Sequence, residues 1–265
     1  MRTMSIASGS SGNSIYMGTD NTHLLVDTGV SKKKIEDGLK KLELSGTDIN
    51  GILLTHEHTD HIGGLGMFLR KYPVPVYGTK GTIEATLRYS KLGAVDPELF
   101  IPIEYDEVFT IGDIDIKPVK ICHDAAQPSA FRFESGDKKS AVMTDLGCYN
   151  DYIVDAIKGL DTVYIEANHD IRMLELGPYS YDLKRRILSS YGHLSNEMSG
   201  KLLDSILHDG IKHIVLSHLS KENNLPELAF ETVRSEVNMS ESKYCMDDFH
   251  LMVAKRECPS EILCF

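Results

Sequence analysis

The 265-residue chain has no run of about 20 consecutive apolar residues, which excludes a helical membrane span. Met1-Arg2-Thr3-Met4 leads into a strand-like segment without the apolar core of a signal peptide, so the expected setting is cytoplasmic, with no membrane partner. The five cysteines, Cys122, Cys148, Cys245, Cys258 and Cys264, are odd in number and scattered. With no Cys-x-x-Cys pair, neither a disulfide framework nor a structural zinc knuckle is expected. There is no low-complexity tract, and 42% hydrophobic with 25% charged residues is ordinary globular composition, which argues against disorder. Nor is there a linker or composition shift, so residues 1–265 read as one domain, able to bury roughly three quarters of its unfolded surface. Positive charge is scarce. With 28 Lys and Arg against 39 Asp and Glu, the net charge is −11, which counts against a broad electrostatic grip on nucleic acid. It leaves room for a local site: Lys32-Lys33-Lys34, Lys138-Lys139 and Lys184-Arg185-Arg186 could rim one or simply be solvated faces. The sequence sets no oligomeric state and leaves a homodimer open.

What the chain does have is Thr55-His56-Glu57-His58-Thr59-Asp60-His61, directly after the apolar run Gly51-Ile52-Leu53-Leu54. Crowded imidazoles and carboxylates repel or compete for hydrogen bonds unless a cation organises them. A metal is the natural partner, and the spacing suggests two. His56 and His58 alternate and can point the same way from an extended segment, while Asp60 and His61 lie beyond a turn. The histidine spacing excludes the helical His-Glu-x-x-His motif. The bland alternative is a loop that happens to be rich in His and Asp.

In chain order, strands are expected at Thr3–Ala7, Ser14–Met17 and His23–Val26. The loop Ser8–Asn13 either contacts a phosphate or is a plain tight turn. Asp27 follows a strand and could orient a metal-bound His or cap the helix expected over Ser31–Leu42. A helix is expected from Ile62 through Arg70, an edge-type strand over Pro73–Tyr77 and a helix over Gly81–Tyr89. A β region over 107–121 delivers His123 and Asp124, and a hairpin over 129–144 delivers Asp145. A helix over Tyr152–Ile157 precedes the strand Thr162–Ile165, which ends in Glu166-Ala167-Asn168-His169. Helices over Leu183–Ser189 and Asn196–Leu207 flank Gly192-His193-Leu194-Ser195. The strand His213–Leu216 leads to His218, and a helix from Pro226 to about Val237 and a strand over Phe249–Ala254 complete the pattern. Two sets of strands with flanking helices imply two packed sheets with helices outside. Repeated delivery of His and Asp from strand ends is how a polar site is assembled over an apolar core.

The pattern His56-x-His58-x-Asp60-His61, with Asp27 upstream and His123, Asp145 and His218 downstream, resembles the metallo-β-lactamase-fold hydrolase superfamily. Ser-Gly-Ser-Ser-Gly-Asn near the start, His-Asp-Ala at 123, Glu-Ala-Asn-His at 166–169 and Gly-His-Leu-Ser-Asn at 192–196 are most similar to its YycJ/WalJ-like branch. The resemblance implies an α/β, four-layer αββα sandwich and a DNA exonuclease-like activity. It implies that His56, His58 and His123 hold one metal, that Asp60, His61 and His218 hold the other, and that Asp145 bridges, with Asp27 in support. It also implies that Glu166 holds His193 as general acid. The inserted nucleic-acid-clamping domain of the larger ribonucleases of the fold has no room here.

The chemistry follows from the donor set. Two cations bridged by Asp145 and a water would lower that water's pKa toward about 7 and supply a bridging hydroxide. Two carboxylate ligands against four metal charges leave the site net positive, which suits a phosphodiester. Mixed nitrogen and oxygen ligation suits Zn²⁺, Mn²⁺ or Fe²⁺. Asp60, Glu166 and His193 form the candidate catalytic set. His193 could otherwise be a helix-capping loop residue, and His169 could contact substrate or sit at the mouth. Glu57, with every ligand position filled by others, is expected to face outward or to support a ligand. The leading expectation is a phosphodiesterase acting on DNA ends. The alternatives are a small-molecule or cyclic phosphodiesterase, or a thioesterase, lactonase or β-lactam hydrolase. The Glu166/His193 pair speaks against the last group, because a good leaving group needs no acid.

Overall fold

The computed structural model describes residues 1–265. The chain divides into two compact units: Met1–Lys120 with Ala125–Asp137 and Lys255–Phe265, and Ile121–Asp124 with Lys138–Ala254. Its strands form two seven-stranded sheets.

The first unit opens with β1 (Arg2–Ala7), β2 (Ser14–Gly18) and β3 (His23–Val26), followed by helix α1 (Lys32–Lys41). After α1 come β4 (Gly51–Leu53), the short helices α2 (Thr59–Ile62) and α3 (Leu65–Leu69), β5 (Val76–Thr79), α4 (Lys80–Leu87) and β6 (Phe100–Ile103). Strands β1, β2 and β3 pair antiparallel, and β3, β4, β5 and β6 continue in parallel. The unit also holds the antiparallel strands β7 (Phe109–Ile111), β8 (Ile114–Lys120) and β9 (Ser129–Ser135). Helix α1 starts where Ser31 Oγ accepts the Lys34 N–H, and it buries Ile35, Gly38 and Leu39. Its apolar face joins Met4, Ile6, Leu25, Ile52 and Phe68 in one core, as its four-residue periodicity requires.

The second unit is built on β10 (Lys138–Met143), helix α5 (Asp151–Ala156) and β11 (Thr162–Glu166). Helices α6 (Ile171–Leu176), α7 (Tyr181–Ile187) and α8 (Asn196–Asp204) follow, then β12 (His213–Ser217), α9 (Pro226–Asn238) and β13 (His250–Val253). Strands β10 to β13 are all parallel. Val163-Tyr164-Ile165 and Ile214-Val215-Leu216 are wholly buried, the continuous apolar pattern of strands covered on both faces. The short β14 (Leu263–Cys264) returns to β1 in the first unit.

Two expectations are corrected. The helix expected over 62–70 is two, because Gly63 and Gly64 bring the backbone up against β3's exit: a Cβ on Gly64 would lie 1.9 Å from the Val30 carbonyl oxygen. The segment 73–77 is not an edge strand. Only Val76 and Tyr77 belong to a strand, which lies between β4 and β6. The two prolines precede the strand, where Pro75 needs only its carbonyl, which accepts the Ile52 N–H of β4 at 2.9 Å, and the real outer strand, β6, carries Pro102, the residue an edge tolerates.

Candidate active site

Each unit gathers its polar residues at the carboxyl ends of parallel strands, where open α/β sheets leave a crevice for ligands. In the first unit Asp27 follows β3, and Thr55 and His56 follow β4. In the second, Asp145 follows β10, Glu166 ends β11 and His218 follows β12. Of the five non-glycine residues with positive φ, three are Asp27 (60°), Asp145 (59°) and His218 (56°). That conformation is costly for side chains with a Cβ and is held by surrounding structure at working sites.

Asp27 organises the first cluster. Its Oδ1 accepts the Thr55 N–H at 2.9 Å, and its Oδ2 accepts the Thr55 hydroxyl at 2.8 Å and lies 2.7 Å from His61 Nδ1. Burial raises the Asp27 pKa, and His61 and Thr55 pull it back. His56 and His61 are fully buried, with ring centroids 4.1 Å apart, and His58 stands edge-on to His56 at 4.5 Å. Asp60 and His61 fall in the first turn of α2, whose N-cap is His58. Glu57 Oε1 accepts the Ala126 N–H at 2.8 Å, fixing the loop in which it stands.

The small-residue loop before β2 is a clamp on this cluster. Asn13 N–H donates to the Asp60 carbonyl at 2.8 Å, and Asn13 Nδ2 lies 3.1 Å from His61 Nε2. Asn13 Oδ1 in turn accepts the Gly9 N–H at 2.8 Å. Sequence reasoning gave Thr55 no role and placed Asn13 only in a loop read as a phosphate contact or a tight turn. Their only signal was position: a short polar residue at the mouth of a strand and a hydroxyl beside a histidine.

The second cluster centres on Glu166, a fully buried carboxylate with four donors. Oε1 takes His193 Nδ1 at 2.7 Å and His218 Nδ1 at 2.9 Å, and Oε2 takes the N–H groups of Leu146 at 2.8 Å and Leu194 at 3.1 Å. Burial alone would raise its pKa; His193 and His218 reverse that and hold it below the usual carboxylate range. Asp145, Glu166, His193 and His218 lie close enough to share an ion. Asp145 Oδ1 is 3.7 Å from His123 Nε2 and 3.5 Å from His218 Nδ1. His123 Nδ1 donates to the Gly192 carbonyl at 3.1 Å.

These anchors fit divalent metal binding. A carbonyl only accepts, so His123 carries a proton on Nδ1, and in the neutral ring the Nε2 lone pair faces carboxylate oxygens of Asp124 at 3.4 Å and Asp145 at 3.7 Å. Lone pair facing lone pair is repulsive, and either a second ring proton or a metal cation relieves it. His218 is likewise held by a carboxylate at Nδ1, leaving Nε2 as the ligand atom, the usual arrangement of metal-bound imidazoles; His61 is held at Nδ1 by Asp27, with the Asn13 amide beside its Nε2. His193 is held in the same way but is 18% exposed, which leaves it accessible to a substrate. His169, which joins neither cluster, is 1% exposed with no hydrogen-bond partner at either nitrogen, and burial pushes its pKa down to about 4.

The model of the metallo-β-lactamase superfamily matches residues 7–218, a span that runs through both units. The chain belongs to this superfamily. It is a metal-dependent hydrolase of the α/β, αββα fold class, and it stands with the YycJ/WalJ-like branch. It is 42% identical over 224 residues to exodeoxyribonuclease YycJ of Bacillus anthracis, covering 84% of each chain. It is 42% identical over 232 residues to exodeoxyribonuclease WalJ of Streptococcus pneumoniae, covering 88% of this chain and 86% of the relative. Among solved structures, Zn²⁺-bound PqqB of Methylobacterium extorquens shares the fold with a TM-score of 0.72 at 16% identity, covering 98% of this chain and all of the other. No helix is long and apolar enough to cross a membrane.

Proposed function

We propose that this metal-dependent hydrolase is a phosphodiesterase that acts as an exonuclease on DNA ends, with His193 as the acid that protonates the leaving oxygen. The observation that carries this reading is the bond from His193 Nδ1 to Glu166 Oε1 at 2.7 Å, made to a buried carboxylate held ionised by its partners. A carboxylate in that position stabilises the imidazolium and fixes which nitrogen faces outward. An alkoxide leaving group needs such an acid, whereas an activated carbonyl substrate does not. The two exodeoxyribonuclease relatives support DNA as the substrate class.

In this reading residues 1–265 work as one domain and hold two divalent ions, Zn²⁺, Mn²⁺ or Fe²⁺. His56, His58 and His123 would hold one ion, Asp60, His61 and His218 the other, and Asp145 would serve both. Such ions supply Lewis acidity toward phosphoryl oxygens and lower the pKa of water. The chain supplies the rest. Asp27 and Glu166 fix the tautomers of His61 and His218. Asp60 belongs to the catalytic set as well as to the ligands, because a carboxylate can take a proton. His193 as imidazolium releases its Nε2 proton to the leaving oxygen and regains one from solvent, while its Nδ1 proton stays with Glu166.

A small-molecule or cyclic phosphodiesterase is the second reading, favoured by the net charge of −11. Metal-loaded protein incubated with end-labelled duplex DNA, single strands, bis-p-nitrophenyl phosphate and a cephalosporin separates them. Release of nucleotides from DNA ends is expected. Cleavage of bis-p-nitrophenyl phosphate without DNA supports the second reading, and cleavage of the cephalosporin alone overturns both.

A further inference from the structure

Helix α7 and the loop that follows it are unusual in what they expose. None of the residues of α7 is buried. Of the twelve exposed large hydrophobic side chains in the molecule, five fall between Leu176 and Met198, including Tyr181 at 74%, Leu188 at 50% and Tyr191 at 59% exposure. Isolated apolar side chains on a surface are normal, but a cluster of them marks a contact surface. In a chain of net charge −11, residues 181–192 run the other way, with Lys184, Arg185 and Arg186 against the single carboxylate of Asp182. Lys184 Nζ donates to the neutral carbonyl of Glu175 at 2.7 Å, and Arg185 lies over the Tyr181 ring at 5.7 Å. Neither contact neutralises a charge.

This segment is joined to the second cluster without a gap. The His193 N–H donates to the Ile187 carbonyl at 3.1 Å, and the Asp124 N–H donates to the Tyr191 carbonyl at 3.1 Å. Arg186 Nε pairs with Asp124 Oδ2, whose other oxygen lies 3.4 Å from His123 Nε2. A ligand lying along α7 therefore arrives beside His193.

We propose that residues 181–191 are a docking surface for the single-stranded end of a DNA substrate, with bases stacked on Tyr181 and Tyr191 and phosphates paired with Lys184 and Arg185. The proposal rests on the nuclease reading above and names how its substrate is held. Exposed rings interleaved with cations are the chemistry of single-strand binding, since every base has a π-face and every nucleotide a phosphate. A paired base has no free face for such rings, which favours an unpaired end over a blunt duplex. At about 1.5 Å per residue, the helix spans about 10 Å, the length of about three stacked nucleotides at ~3.4 Å each.

Fluorescence anisotropy with a labelled phosphorothioate oligothymidine, which resists cleavage, tests the surface. Tyr181→Ala and Tyr191→Ala should each weaken binding about 5- to 100-fold, while Tyr181→Phe and Tyr191→Phe, which keep the ring, should bind like the parent. In Lys184→Gln/Arg185→Gln the slope of log affinity against log salt should fall by about 0.7 for each cation removed. Thermal midpoints read alongside identify any variant that fails to fold. Affinity and salt slope that stay put in folded variants overturn the proposal. So does a Tyr191→Ala variant that dissociates a dimer yet binds DNA normally, because the face would then join two copies of the chain. Binding is read without turnover, so the two readings fail separately. A parent protein that hydrolyses DNA but binds it independently of α7 loses only the docking surface. A parent that binds through α7 but hydrolyses no phosphodiester loses only the nuclease assignment.

Discussion

His193 and His218 donate to one and the same oxygen, Glu166 Oε1, at 2.7 and 2.9 Å. A single buried carboxylate thus sets the orientation of a proposed metal ligand and of the proposed acid together. The arrangement is stable because the other oxygen is saturated by the N–H groups of Leu146 and Leu194, leaving the carboxylate no reason to rotate.

Glu166→Gln should therefore damage two properties at once. Its amide nitrogen is a donor and must face either the two imidazoles or the two backbone N–H groups. Metal affinity, read by chelator competition, is expected to fall about 10- to 100-fold, with a parallel loss of turnover. A variant that loses turnover with its metal affinity intact would show that Glu166 serves His193 alone.

Gly29→Ala tests the packing beneath the first cluster. A Cβ on Gly29 would lie 1.6 Å from the Asp60 carbonyl oxygen, and both sides of that contact are pinned by backbone hydrogen bonds to Asn13. The backbone must move, at a cost of about 1–3 kcal/mol, which corresponds to a fall in thermal midpoint of roughly 2–10 °C. Metal affinity should fall too, because Asp60 and His61 move with the turn. An unchanged midpoint in calorimetry would contradict the close approach.

How much of this was legible in the sequence differs from residue to residue. The heptapeptide at 55–61 was legible because its three histidines fall within six residues, and Asp27, Asp145 and His218 because each follows an apolar strand. Thr55 and Asn13 were not, because their roles depend on contacts across 28 and 48 positions in the chain. The left-handed backbone at Asp27, Asp145 and His218 leaves only a faint mark in residue type, since Asp and His visit that region more than most side chains but glycine alone favours it. Strands β6 and β14 and helix α6 went unassigned because each is too short to show periodicity. The exposure of α7 was equally invisible: Lys184-Arg185-Arg186 could be seen as a basic cluster, but not that Tyr181 and Tyr191 stand beside it in solvent.

His169 gives a pH prediction. Burial, helped by His193 and opposed by Glu166, lowers its pKa to about 4, whereas an unfolded histidine titrates near about 6.5. Between those values the unfolded chain binds a proton that the folded chain does not, so stability rises with pH across the window. The contribution is fully present above about 6.5 and is lost as pH falls toward 4, a loss of about 3 kcal/mol. Urea unfolding of the metal-free protein at a series of pH values should show this slope, and His169→Gln should flatten it. Equal slopes in parent and variant would mean that His169 is protonated in the fold.

The central claim is that His193 protonates a poor leaving group, and the most direct test is the loss in turnover of His193→Ala on two substrates. With metal content checked and unchanged, the variant should lose about 10²- to 10⁴-fold on DNA, whose leaving group is an alkoxide. It should lose far less on bis-p-nitrophenyl phosphate, whose leaving group needs no proton. Equal loss on both substrates would contradict the assignment.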